Sequence, residues 1–213
     1  MSSSLLTKTL ILLFFINCWT FYAQTSDTLE IKTKESKTHL NVEFSGIVPI
    51  AFGDNFAADG MDFKYGLNFS FKGYFTDHLF FGLKFQHLRA DVADQTLVGV
   101  FEHSNVNSYL AVGGYRFVLD EQFNIEPSLG IGATVYNNKK TTTTFDEKID
   151  FEDDATTLIF SAAASYQITE QLKVFIKPEY RIDFMQIDTA PIRQDFFDEA
   201  HFLNILFGIR FGY

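Results

Sequence analysis

The chain has 213 residues and a formal net charge of −10, with 17 % aromatic and 21 % charged residues. This composition is too apolar and aromatic for a disordered chain, and a mean hydropathy near zero is too low for a helical membrane protein. The acidic balance repels nucleic acid, and no basic patch interleaved with aromatics offsets it, so no nucleic-acid partner is expected.

Residues 1–23 are typical of a secretory signal peptide. A short polar stretch with one positive charge, Met1–Lys8, precedes an apolar run, Thr9–Phe21. This run is too short for a membrane-spanning helix, which needs about 20 residues. We expect cleavage after Ala23, export of the chain, and a short polar periplasmic segment at residues 24–37.

The single cysteine, Cys18, falls inside this leader. The mature chain is therefore expected to have no disulfide and no thiolate ligand for a metal. Cys18 also raises the alternative of a lipoprotein, but Asn17 before it is a poor fit to the small residue that lipoprotein cleavage prefers.

From residue 38 onward, apolar and polar residues alternate with a period of two, which is typical of β-strands. Eight such segments follow one another, at 39–48, 62–75, 79–89, 106–118, 123–136, 157–168, 172–185 and 203–213. In the second segment, Phe63 and Tyr65 belong to the apolar face and Lys64 belongs to the polar face. Pro127 and Pro178 each lack a donor for the strand ladder, so a β-bulge is expected near each; the alternative is that the strand ends there.

The connections between these segments alternate in length. Three tight polar turns lie at 76–78, 120–122 and 169–171, and four longer polar or acidic stretches lie near 52–61, 90–104, 138–155 and 186–200. Short turns on one side and long loops on the other are the layout of a bacterial outer-membrane barrel. The four threonines at 141–144 add β-propensity, which allows the strands to continue above the membrane in the third loop.

Alternation alone does not decide which face meets water, because a soluble lipocalin-like barrel also alternates, with its apolar face inward. Long aromatic rows without charge favour lipid on the outside, and aromatics near the segment ends favour interfacial girdles. The opposite face collects small residues, as a narrow lumen requires: Gly66, Gly82, Gly130, Gly132, Ser161, Ala163 and Gly208.

The closing residues 207–213 resemble the last strand of small OmpA/OmpX-type outer-membrane barrels. The stretches Ile125–Gly130 and Ile176–Tyr180 are similar to hairpins of the outer membrane protein β-barrel domain family. The resemblance covers residues 38–213 and implies an all-β, antiparallel up-and-down eight-stranded transmembrane β-barrel. It also implies residence in the outer membrane of a Gram-negative bacterium, among outer-membrane lipid. It further implies recognition by the barrel-insertion machinery through a C-terminal signal made of Phe207, Ile209, Phe211 and Tyr213.

Eight strands enclose a space that side chains fill, so an open pore is not expected. The inward-facing set carries both signs of charge, and buried charge is tolerable only when it is paired. The predicted lumen network of ion pairs consists of Glu43, Lys64, Lys72, Lys84, Arg116, Glu126, Lys177, Glu179, Arg181, Asp183 and Arg210. A proton or small-ion path is the alternative, and nothing in the spacing selects it.

A lipid-modifying barrel enzyme would need a nucleophile, a histidine base and an orienting carboxylate on adjacent strands. The predicted outer side offers His103 with Ser104, and His201 near Glu199, without a nucleophile motif. The acidic residues at 146–154 lack the spacing of a calcium loop and are interpreted as a solvated loop. We therefore expect no catalytic residue, no cofactor and no metal site.

Three functional hypotheses remain from the sequence. The first is a monomeric, non-enzymatic outer-membrane barrel whose acidic outer loops contact a surface partner or which stabilises the membrane. One version of it is an accessory barrel of a secretion system, resembling PorT-like proteins. The second is a barrel enzyme acting on lipid, and the third is a soluble barrel that binds an apolar ligand.

Overall fold

The computed structural model describes residues 40–141, 148–185, 187 and 194–212. The predicted signal peptide, the periplasmic segment and Tyr213 lie outside this part. The elements in chain order are β1 (Leu40–Phe52), α1 (Phe56–Gly60), β2 (Met61–Tyr74), β3 (Leu79–Val92), α2 (Gln95–Val98), β4 (His103–Tyr115), β5 (Phe117–Val118), β6 (Phe123–Thr141), β7 (Lys148–Gln167), β8 (Leu172–Met185), α3 (Gln194–Asp198) and β9 (Glu199–Gly212). None of the helices in the described ranges is long and apolar enough to span a membrane.

The strands form one closed antiparallel sheet. Their order is β4-β3-β2-β1-β9-β8-β7-β6-β5, and β4 also pairs with β6. Because β5 continues along β6 after a one-residue break at Arg116, β4 and β5 together make the fourth strand of the barrel. The first strand pairs with the last, so the sheet closes as an eight-stranded up-and-down barrel. The predicted fold class is confirmed.

The barrel is apolar outside and polar inside. On β3, for example, Leu83 is 63 % exposed while its neighbour Lys84 is only 4 % exposed. A soluble barrel has the opposite arrangement, so the soluble ligand-binding hypothesis is wrong for this fold. The 13 residues of β1 carry apolar outward side chains from Leu40 to Phe52. At roughly 3.3 Å per residue and a tilt of roughly 40°, such a row covers about 30 Å along the barrel axis, close to the hydrocarbon thickness of a bilayer.

Strands on the long-loop side extend further than the sequence pattern predicted. β6 and β7 pair without interruption as far as Thr141 opposite Lys148. Most of the predicted third loop at 138–155 is therefore a two-stranded ribbon, formed by residues 138–141 and 148–155. The threonines at 142–144 lie outside the described residues. The expectation that the strands continue into the third loop is confirmed, and their position above the membrane stays a prediction.

The predicted bulges near Pro127 and Pro178 are wrong. On both sides of Pro178, β7 and β8 keep a single register, with a short gap in the ladder opposite the proline. Pro127 lies in the same way beside the break between β4 and β5, without a change of register. Each strand also runs through its proline, so the alternative of a strand end is wrong too. The missing N–H removes a ladder bond, and the sheet tolerates the gap without inserting a residue.

The structure does contain a bulge, in β2 between Phe63 and Gly66, where β2 has one more residue than β3. Phe63 turns inward as a result and packs edge-on against Phe202, with ring centroids 4.9 Å apart. Lys64 turns outward beside Asp62, and its side chain is 42 % exposed. The predicted faces of Phe63 and Lys64 are therefore wrong, because one extra residue shifts a period-two pattern by one step.

The outer mouth of the barrel is filled by loop residues. Asn55 caps α1, its side chain accepting hydrogen bonds from the N–H groups of Ala57 and Ala58 at 3.1 Å. This short helix inserts Phe56, 4 % exposed, between Tyr136 of the wall and Phe197 of α3. The long loops thus contribute an apolar plug to the barrel, a feature that alternation within the strands does not encode.

A second loop helix, α2, is capped by Asp94. Its carboxylate accepts hydrogen bonds from the backbone N–H of Thr96 at 2.8 Å and from the Thr96 hydroxyl at 2.7 Å. These bonds favour the ionised form and hold the pKa of Asp94 below its usual value. Aspartate is one of the residue types preferred at the N-cap of a helix, which agrees with the position of Asp94.

Candidate functional site

The structure brings ten of the eleven predicted lumen residues into the barrel interior. Each of the ten is at most 4 % exposed: Glu43, Lys72, Lys84, Arg116, Glu126, Lys177, Glu179, Arg181, Asp183 and Arg210. The exception is Lys64, which the β2 bulge places on the outside. The buried charges form two clusters, one toward the short turns and one at mid-height.

The cluster toward the short turns is built around Glu43 of β1 and Glu126 of β6. Glu43 lies 2.6 Å from Lys72, 2.8 Å from Lys177 and 2.6 Å from Arg210. The three cations come from β2 and β9, which flank β1, and from β8, which is one strand further along the sheet.

Glu126 shares two of the same cations. It lies 3.0 Å from Lys72 and 2.8 Å from Arg210. It also accepts hydrogen bonds from the Tyr74 hydroxyl at 2.8 Å and from Arg116 Nε at 2.9 Å. Buried carboxylates with several charge-assisted hydrogen bonds are well compensated for their desolvation.

Arg116 reaches Glu126 because it lies directly opposite Glu126 in the single register that β4 and β5 share with β6, on the inward face of the fourth strand. Its backbone N–H donates to the carbonyl of His78 in the first short turn, at 2.7 Å, in line with the register of β3 and β4. Its guanidinium lies over the ring of Tyr74, 3.9 Å from the centroid. Alternation along the fourth strand therefore places a cation at the short-turn end of the lumen.

The mid-height cluster contains Glu179 and Asp183 of β8. Glu179 pairs with Lys84 and accepts a hydrogen bond from Gln86 Nε2 at 2.8 Å. Asp183 pairs with Arg181, whose Nη2 lies 2.7 Å from Oδ2. The two carboxylates and two cations of this cluster balance in charge.

Sequence reasoning missed the uncharged partners of the mid-height cluster. Asp183 accepts hydrogen bonds from Tyr136 and Thr157, and Glu179 accepts one from Asn204 at 3.2 Å. All three partners are buried. They lie on the same period-two faces as the charged residues, so extending each inward face to its polar uncharged members would have found them.

Above the mid-height cluster the lumen becomes apolar. Met61, Leu88, Phe101, Met185 and Phe202 belong to one buried cluster there. A small cavity with about 30 Å³ accessible to water remains at this mouth, and Phe56, Tyr136 and Phe197 are among the residues that line it. The described interior thus contains ion pairs toward the short turns and at mid-height, and apolar side chains toward the long loops.

The histidine candidates do not assemble into a catalytic group. His103 and Ser104 are consecutive strand residues and face opposite sides of the wall, with Ser104 buried and His103 half-buried. His201 Nδ1 lies 3.1 Å from the Tyr180 hydroxyl, and its Nε2 lies 3.3 Å from Glu199. The two histidines are four strands apart in an eight-stranded barrel, on opposite sides.

The predicted C-terminal signal residues that the structure describes face outward. Phe207 is 55 % exposed, Ile209 is 37 % exposed and Phe211 is 39 % exposed. They belong to the outer apolar surface, and β9 pairs with β1 along their full length. Their role as an insertion signal stays a prediction.

Two solved structures are similar to this fold. Neisserial surface protein A matches with a TM-score of 0.51 and 13 % sequence identity, over 83 % of this chain and 98 % of its own. The outer membrane protein OprG from Pseudomonas aeruginosa matches with a TM-score of 0.50 and 10 % identity, over 82 % of this chain and 95 % of its own. No family model and no curated protein matches the sequence. The chain therefore has the fold of the small outer-membrane barrels, as its closing strand predicted.

Proposed function

We propose that this protein is a monomeric, non-enzymatic integral barrel of the outer membrane of a Gram-negative bacterium, with a closed lumen and an outer surface that binds a protein partner. The proposal rests on the distribution of side chains in the barrel wall. Apolar residues such as Phe44 and Leu83 are exposed on the outer face, and charged residues are buried on the inner face. Lipid is the solvent in which this arrangement is stable, since an apolar belt of this size is unfavourable in water.

Membrane residence is tested by fractionation. The protein is expected to stay in the outer-membrane pellet through carbonate washing and to migrate differently on gels before and after heating. A protein released into the soluble fraction would contradict the proposal.

The closed lumen is supported by the paired clusters around Glu43 and Glu179, and by the apolar plug at Phe56. Ions crossing this interior would have to break several buried ion pairs, which are costly to separate. We expect purified protein in planar bilayers to give no stable single-channel conductance. Steady stepwise currents from the folded barrel would contradict this part of the proposal.

The binding surface is assigned to the ribbon of β6 and β7. β7 pairs with β8 only as far as Ala155, so residues 148–154 extend beyond β8. The exposed side chains there include Phe151, 41 % exposed, and the acidic Glu152 and Asp154. An exposed aromatic among carboxylates suits a protein partner with a basic, partly apolar surface.

A photo-crosslinking amino acid at position 151 tests this surface on intact cells. We expect it to capture a defined protein, whereas the same amino acid at Phe44, within the apolar belt, is expected to capture lipid. An accessory role in a secretion system would appear as capture of a secretion component. Capture of lipid alone from both positions would contradict a protein partner.

A further inference from the structure

Buried cations outnumber buried carboxylates in only one of the two charged clusters of the described lumen. Toward the short turns, five buried cations accompany only two carboxylates, Glu43 and Glu126, and four of the five pair with them: the cations are Lys72, Arg116, Lys173, Lys177 and Arg210. The mid-height cluster has two of each sign. The excess positive charge of the described lumen therefore lies at the end that opens between the short turns.

Lys173 is the member of this half without an ion pair or hydrogen bond to the residues that the structure describes. It is the second residue of β8 and is 9 % exposed. Its ladder partner on β9 is Arg210. Arg116 lies at the same short-turn end of the lumen, where its backbone N–H donates to the carbonyl of His78. The guanidinium groups at this end of the lumen repel the Lys173 ammonium, and no carboxylate of the described residues forms an ion pair with it.

We propose that this end of the lumen binds a small inorganic oxyanion of the phosphate type, held by Lys173 and Arg116. An oxyanion would neutralise the excess charge, and ammonium and guanidinium groups are the donors that proteins use for phosphate. Both side chains face the lumen, so a phosphate attached to a lipid outside the wall does not reach them. The neighbouring Asn124 and Ser165, both buried, add polar groups to the same end.

Equilibrium dialysis of the full-length barrel against radiolabelled inorganic phosphate tests the site. The protein is kept in a detergent with uncharged headgroups, and chloride holds the ionic strength constant so that screening does not change. We expect saturable binding of about one phosphate per barrel. Absence of saturable binding to the wild-type barrel would overturn the proposal.

Variants locate the binding. Lys173→Gln is expected to lower the affinity at least tenfold, and Lys173→Arg, which keeps the charge, is expected to stay within threefold of the wild type. Lys64→Gln is the matched control, because Lys64 is a lysine on the outer face. Equal binding by Lys173→Gln and wild type, or an equal loss in Lys64→Gln, contradicts the assignment.

A second measurement needs no substitution and therefore does not depend on the folding of a variant. The wild-type barrel is treated with an amine-acylating reagent, and the rate at each lysine is read by mass spectrometry of its peptide. Phosphate is expected to slow the acylation of Lys173 at least threefold and to leave Lys64 unchanged. Equal rates at Lys173 with and without phosphate would overturn the proposal.

Discussion

Arg210 and Glu43 face each other across the seam where the last strand of the barrel meets the first. Arg210 Nη2 lies 2.6 Å from Glu43 Oε1, and Nε donates to the same oxygen at 2.8 Å. The two residues are directly opposite in the ladder, although 167 positions separate them in the chain. The pair therefore links the first and last strands of the barrel, and the same guanidinium also lies 2.8 Å from Glu126.

Removing the charge of Glu126 is expected to destabilise the barrel strongly. Glu126→Gln leaves Arg116 buried without its carboxylate and leaves Lys72 with Glu43 alone. Breaking a buried ion pair from one side costs about 3–5 kcal/mol. Denaturant titration in lipid vesicles measures the free energy of unfolding. The control is Glu152→Gln on the exposed ribbon, where a change within about 0.5 kcal/mol is expected. Similar losses for both variants would mean that the lumen pairs do not stabilise the fold.

Two strand glycines are expected to respond differently to the same substitution. A Cβ at Gly132 would collide with the carbonyl oxygen of Tyr109 and lie 2.8 Å from Leu110 Cα, whereas the nearest atom to a Cβ at Gly73 is 3.9 Å away. Gly132→Ala should therefore destabilise the barrel by about 1–3 kcal/mol, because the backbones of β4 and β6 must separate. Gly73→Ala should be neutral or slightly stabilising. The heat-modified gel shift during refolding measures both, and equal folded fractions would contradict the close contact.

A charged residue introduced into the apolar belt is expected to lower the free energy of unfolding more at the centre of the belt than at its edge. Phe44 and Leu40 are both outward residues of β1, 51 % and 46 % exposed, and Leu40 lies at the end near the short turns. Phe44→Arg should cost about 2–4 kcal/mol in vesicles, and Leu40→Arg about 0–1 kcal/mol. The difference between the two free energies of unfolding reports depth in lipid. Equal costs would place the belt outside the hydrocarbon.

Deletion of Tyr213 is expected to lower the amount of barrel assembled in cells, since the sequence predicts that its aromatic ring is part of the insertion signal. Tyr213→Phe keeps the ring and should assemble normally. The assembled fraction is read from the heat-resistant band of outer-membrane preparations. Normal assembly of the deletion would show that Tyr213 is not required for insertion.

Much of the charged lumen was accessible to sequence reasoning. Lys177 and Glu179 follow each other at a spacing of two along β8, and that spacing places both on one face of a strand. The sequence could not show that Lys177 meets Glu43 and that Glu179 meets Lys84, because these contacts cross the lumen between distant segments. Lys64 was misplaced for a different reason, since a bulge leaves no regular mark in the alternation.

The sequence alone determined the number of strands, the alternation of apolar and polar residues along each strand, and the positions of the short turns. Period-two alternation and turn residues are local properties of the chain. The tertiary structure decided which face is inside, where the β2 bulge reverses Phe63 and Lys64, and which charges meet. It also decided that the loops enter the barrel, since Phe56 finds its partners in distant segments. These outcomes depend on register and closure, which arise only when all eight strands pair.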